Sequence, residues 1–188
     1  MEEKEGLIVE YKALREEIKN NSQVIANIFT VTITGMAVLT GYGFKEKNWV
    51  IFLCSFVMLI PALWFIASQL ESTVRIATYI RTCIEPYVDG LRWENKLSQL
   101  RKSNLVPERK YTLSITGIYG AIGITCILLS WIFFPWGGKG YSIIELVILI
   151  IASVVLVATM VQVILNVSKC FGQDFGSKYC KAWRELKE

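Results

Sequence analysis

Four long windows almost free of charge alternate with charged windows along this chain, and that alternation constrains the fold more than any other feature. The windows cover residues 24–42, 49–69, 111–134 and 142–167. A bilayer core about 30 Å thick is crossed by about 20 apolar residues in a helix, which satisfies its own backbone N–H and C=O groups where no water can. Composition is a weaker guide. The chain is 53% hydrophobic, against about 45–50% for soluble domains. The expected fold class is all-α: a four-helix transmembrane bundle with cytoplasmic helical extensions.

The charges set the expected orientation. Residues 1–22 carry four Lys or Arg, residues 70–110 eight and residues 168–188 five, while the two short connections carry two and one, which accounts for all 20. The positive-inside rule then puts both termini and the central segment in the cytoplasm. The expected organisation is a cytoplasmic amphipathic helix (1–22), a transmembrane hairpin (23–69), a cytoplasmic helical module (70–110), a second transmembrane hairpin (111–167) and a cytoplasmic tail (168–188). The opening segment lacks a basic stretch followed by an apolar core, so the first membrane helix is expected to act as its own signal. A net charge of +4 is too small to argue for nucleic acid, and direct nucleic-acid binding is not expected.

Periodicity adds detail. Leu7, Tyr11, Leu14 and Ile18 form the seam of a helix that packs on other helices. Ala26, Thr30, Thr34, Ala37 and Gly41 form a small-residue face, as do Gly117, Gly120, Ala121 and Gly123, and such faces let helices approach closely. A turn is expected from Gly41 to Asn48. Pro61 is expected to weaken the second membrane helix, since proline removes a backbone donor. Trp49 and the run from Trp131 through Trp136 sit where an aromatic belt belongs. Below the bilayer the second helix is expected to run on to Pro86. A second amphipathic helix should carry Leu91, Trp93, Leu97 and Leu100, and Pro107 ends the module. Phe171, Phe175, Tyr179 and Trp183 suggest a short helix in the tail.

Two constellations are candidates for function. The first lies in residues 75–94, the long segment between apolar blocks that carries the most specific pattern, and comprises Arg75, Tyr79, Arg81, Glu85, Trp93 and Glu94. Arg81 and Glu85 are four apart on a helix and can pair. The set is a docking surface for a partner protein or a small anionic ligand, or else a salt-bridged bundle whose basic groups touch anionic lipid. The second is a polar seam on the last membrane helix: Glu145, Thr159, Gln162 and Asn166, with Ala152 in the same heptad register. It either lines a pathway at an oligomer axis or fixes helix packing through interhelical hydrogen bonds.

Catalytic chemistry finds little support. The chain has no His, which excludes His-based catalysis. Cys54, Cys83, Cys126, Cys170 and Cys180 read as free thiols, and no metal site or cofactor is expected. No nucleophile elbow, phosphate loop or zinc-protease motif occurs. Gly137-Gly138-Lys139-Gly140 is too short for a phosphate loop and has no strand before it.

The segments EYKALREEI (10–18) and RIATYIRTCIEPYVDGLRWE (75–94) together resemble a broad family of small bacterial membrane proteins. These have a charged E-Y-x-x-L-R-x-E-I opening before the first membrane helix and a Y-I-R…I-E-P…L-x-W-E segment after the second. The resemblance covers residues 10–94. It implies a place in defence loci, beside type VI CRISPR nucleases as a membrane accessory, or in two-gene anti-phage systems of the Kiwa type as a membrane subunit. It assigns no role to any residue. The expected function is a non-enzymatic component of an anti-phage system that oligomerises, engages a cytoplasmic defence protein and alters membrane permeability. The alternatives are a scaffold tethering a cytoplasmic nuclease or regulator and a small-solute transporter.

Overall fold

The structure, a computed structural model, describes residues 2–102, 108–136, 143–170, 179–183 and 185. The described residues are helical, with no strand among them. The helices are α1 (Glu2–Glu46), α2 (Trp49–Cys54), α3 (Phe56–Tyr79), a π-helical turn (Ile80–Ile84), α4 (Trp93–Lys102), α5 (Glu108–Ile132) and α6 (Ile143–Cys170). Three stretches, Lys4–Glu46, Trp49–Ile84 and Ile143–Val163, are long and apolar enough to cross a membrane, and α5 contributes the shorter apolar stretch Gly117–Ile132. The surfaces agree with that reading. On α6, Ile144, Ile151, Val154, Val155 and Leu165 all point outward, which a water-facing helix could not sustain. The chain forms two compact units: residues 1–26, 67–113 and 167–188, and residues 27–66 and 114–166.

The second unit is a packed apolar body. Its buried side chains include Met36 of α1, Phe52 of α2, Phe56, Leu59 and Leu63 of α3, Tyr119 and Cys126 of α5, and Leu149, Met160 and Val163 of α6. Two polar groups inside find partners, one on its own helix and one on a neighbouring helix. Ser130 Oγ donates to the Cys126 carbonyl at 2.9 Å, and Trp131 Nε1 donates to Ser153 Oγ at 3.2 Å. Aromatic residues gather at one end: Phe52 stacks on Phe133 at 5.4 Å, Phe44 meets both edge-on at 5.5 Å, and Trp49 lies against Phe134 at 5.4 Å.

Three expectations need correction. First, α1 does not stop at Gly41 but runs to Glu46. It closes at Lys47, whose φ of 49° is left-handed, with Asn48 N–H donating to the Gly43 carbonyl at 3.3 Å. Asn48 Oδ1 then accepts from Val50 N–H at 3.0 Å and caps α2, so the turn is two residues long. Second, the second apolar helix is interrupted at Ser55, six residues before Pro61, which sits inside α3. The Ser55 hydroxyl donates to the Ile51 carbonyl at 3.2 Å, the back-bonding that disturbs a helix locally. Third, the small-residue face of α1 is not its packing face in this chain. Ala26, Thr30, Thr34, Ala37 and Gly41 are exposed, while Ile25, Thr32, Met36 and Gly43 face inward.

Close approach falls instead on Gly35, against the flexible end of Met58, and on Gly43. A Cβ at Gly43 would stand 2.8 Å from Phe52 Cζ, and the Phe52 ring is fully buried between two other rings. Gly43→Ala is therefore expected to lower stability by about 1–3 kcal/mol through overpacking. Detergent-resistant unfolding followed by near-ultraviolet circular dichroism would register the loss. Gly117→Ala, where nothing lies within 4 Å, is the control.

Candidate docking site

The first unit carries the first constellation. Its core is the seam the sequence indicates: Leu7, Tyr11, Leu14 and Ile18 of α1 pack on Ile76, Ile80, Ile84 and Val88. Each fully buried aliphatic chain contributes about 1.5–3 kcal/mol. Four-residue spacing drifts by about 40° per step on a helix of 3.6 residues per turn. The wider π turn takes up that drift and keeps Ile80 and Ile84 on the face that meets α1. Glu85 N–H closes it on the Ile80 carbonyl at 2.9 Å. Pro86 comes next, and Gly90, at φ 93°, makes the turn that leads to α4.

Glu85 ties the π turn to α4. It is 5% exposed. Its two carboxylate oxygens accept from Glu94 N–H at 2.6 Å and from Asn95 N–H at 3.0 Å. These are donors that the first turn of α4 leaves without an intrahelical acceptor. Glu85 thus caps α4 from nine residues away, a task ordinarily performed by a short polar side chain at the helix start. Glu94, 4% exposed, accepts from Arg15 Nη1 of α1 at 2.8 Å. The same guanidinium lies 5.9 Å from the centre of the Trp93 ring.

The other candidates are held more loosely. Arg81 donates to Ser98 Oγ at 2.8 Å rather than pairing with Glu85, which the helix cap occupies. Tyr79 donates to Glu10 Oε1 at 2.9 Å and meets Trp183 edge-on at 4.9 Å. Tyr179 donates to Glu71 Oε1 at 2.8 Å, and Thr82 Oγ1 lies 3.6 Å from Cys180 Sγ. The tail residues 179–183 are thereby applied to α3 and the π turn. Arg75 is exposed and makes no ion pair among the described residues. Trp93 is 55% exposed, and Tyr87 and Leu100 are also at the surface. Phe171 and Phe175 lie outside the described residues.

Burial, with help from the Glu10 carboxylate, pushes the Tyr79 phenol up to about 12. The folded state therefore favours the neutral phenol. Its contribution to stability is complete below pH 10, the unfolded value, and is lost as pH rises from 10 to 12. Alkaline unfolding of Tyr79→Phe is expected to lack that pH-dependent component, so wild type should lose stability relative to the variant as pH rises from 10 to 12.

The second constellation is dispersed around α6. Leu149, Ser153, Met160 and Val163 form the packed face. Glu145 and Thr159 lie half-buried beside it, and Gln162 faces outward. Thr159 Oγ1 is shared between the Val155 and Leu156 carbonyls, both at 2.9 Å, on its own helix. The Asn166 side chain lies outside the described residues.

Sequence reasoning did not single out Arg15 or Glu10, whose partners lie 79 and 69 residues away. One signal for Glu85 was available: Arg92, immediately before α4, is not a capping residue, so the cap had to come from elsewhere. Comparison with protein-family models, curated proteins and solved structures finds no match.

Proposed function

We propose that this chain is a non-enzymatic, four-pass component of the bacterial inner membrane, with both termini in the cytoplasm. It receives a cytoplasmic defence protein on its first unit and, as a homo-oligomer, alters membrane permeability during anti-phage defence. The observation that carries the docking half is Trp93. A large aromatic side chain stands at the surface on a helix whose first turn is clamped from inside by Glu85 and Arg15. Rigid exposed Trp backed by Arg is the composition of binding hot spots.

The distribution of Lys and Arg supports the orientation. The 25 residues of α5 would span about 38 Å, which supports a fourth pass. The outward small-residue face of α1 supports association of copies. The resemblance of residues 10–18 and 75–94 supports the place in defence.

In bacteria carrying the intact locus, Trp93→Ala should abolish protection against phage and recruitment of the cytoplasmic partner to the membrane, while the variant still inserts. Full protection by a stably inserted Trp93→Ala chain would sink the docking surface. Liposome flux tests the permeability half: an inserted oligomer that never leaks with any partner present removes it. A tether without a permeability role is the second reading. It is favoured by Thr159, whose hydroxyl is satisfied on its own helix rather than offered to a pathway. Under it, Thr159→Val and Gln162→Leu leave protection intact.

A further inference from the structure

We infer that a crevice between α1 and α3 in the first unit binds a phosphoethanolamine headgroup, carried by a membrane phospholipid or by its water-soluble glycerol ester. The inference rests on the proposed membrane location and deepens it. The crevice has a volume of about 520 Å³, within the range of about 300–1,000 Å³ typical of small-molecule sites.

Two polar ridges face each other across it. Glu17 and Asn21 lie one turn apart on α1; Ser68, Ser72 and Arg75 succeed one another along α3, with Glu71 beside them. Every lining side chain is polar. The position matters as much as the lining. On α1 no charged residue occurs from 20 to 44, and on the other arm of the hairpin none occurs from 48 to 70. The crevice therefore opens where both apolar runs end, at the depth of lipid headgroups when the helices span a bilayer.

The charges around the space do not neutralise one another. Arg75 makes no ion pair with Glu17 or Glu71, although all three line the same crevice. Glu71 is held by the Tyr179 hydroxyl at 2.8 Å, and buried Asn21 lies 3.5 Å from Thr73 Oγ1. One guanidinium and two carboxylates kept apart around a polar space complement a zwitterion. The guanidinium takes a phosphate through paired N–H donors, the carboxylates take a primary ammonium with its three N–H donors, and the serine hydroxyls serve the remaining phosphate and ester oxygens. Phosphatidylcholine has the charge but no N–H to donate. Phosphatidylglycerol has no cation at all.

The test uses the full chain in vesicles of equal parts phosphatidylethanolamine, phosphatidylcholine and phosphatidylglycerol, with native mass spectrometry as the readout. Phosphatidylethanolamine should be retained about tenfold over phosphatidylcholine. Glu17→Gln with Glu71→Gln should erase that preference with helicity unchanged, and Arg75→Ala should weaken retention. Binding of glycerophosphoethanolamine by the chain, without enrichment of the lipid, supports the same site with the soluble source. Equal retention of the three lipids with no binding of the soluble ester overturns the site, as does a preference for phosphatidylglycerol. An alkaline carbonate wash separates the two readings. A chain that stays in the bilayer but shows neither a lipid preference nor binding of the soluble ester sinks only the headgroup site, whereas a chain released by the wash sinks the membrane reading beneath it.

Discussion

Glu85→Ala should release the first turn of α4 and cost the first unit about 2–4 kcal/mol. The figure counts two first-turn N–H donors that lose a charged acceptor, about 1–2 kcal/mol each. The substitution removes the acceptor of two backbone N–H groups at once, one of them buried. The effect should be local. Amide exchange at Glu94 and Asn95 should speed up sharply, and protease should cut within α4, while amides of α2 in the second unit keep their protection. Glu85→Gln retains one carbonyl acceptor and should lose roughly half as much. Unchanged protection at both amides in Glu85→Ala would mean that the cap contributes nothing.

Arg15→Ala is the second large effect. It withdraws a guanidinium 2.8 Å from a carboxylate that is 4% exposed. Breaking a fully buried pair costs about 3–5 kcal/mol. The Arg15 side chain is itself 36% exposed, so solvent screening lowers the expectation to about 2–3 kcal/mol. The Trp93 ring also loses its cation, worth about 0.5–1 kcal/mol at an exposed site. Arg15→Lys should fall between wild type and Arg15→Ala, since it keeps the charge and loses the planar fork. A cycle with Glu94→Gln isolates the pair: the double variant should be more stable than the two single losses added together. Strict additivity would show that Arg15 acts by packing alone. By contrast, Lys4 and Asp89 are 3.3 Å apart with both side chains exposed, and deleting either should leave stability within about 1 kcal/mol.

These two substitutions also bear on docking. Trp93 begins the helix that Glu85 caps and Arg15 steadies, so both changes should loosen the surface that presents it. A partner that needs a rigid Trp93 should bind Glu85→Ala more weakly even though Glu85 is buried and cannot touch it. Reduced recruitment by Glu85→Ala, together with normal recruitment by Lys4→Ala, is the expected pattern in a membrane co-sedimentation assay.

Periodicity and charge are properties of single segments, and they made most of the architecture legible. The seam from Leu7 to Ile18 reads as a packing face because residues three and four apart share a side of any helix. The absence of charge over about 20 residues or more marks a possible membrane span for the same local reason. The candidate site was legible only as a group of residue types. Arg81 and Glu85 sit at the spacing of an ion pair, and local reasoning joins them. The structure sends Glu85 to the backbone of α4 and Arg81 to Ser98, because the N–H groups at the start of α4, one of them buried, compete for the carboxylate and win.

The helical class, the apolar spans, the α1 seam and the charge asymmetry are therefore properties of the sequence alone, each readable within one segment. Where each polar group ends was decided only by the tertiary structure. Arg15 meets Glu94 across 79 residues, Glu10 meets Tyr79 across 69, and the α1 face carrying Ala26, Thr30, Thr34, Ala37 and Gly41 turns outward instead of inward. The physical reason is that partner choice depends on which segments lie side by side. That is fixed by burying the aliphatic seams, and the polar groups then pair with whatever the packing brings within reach.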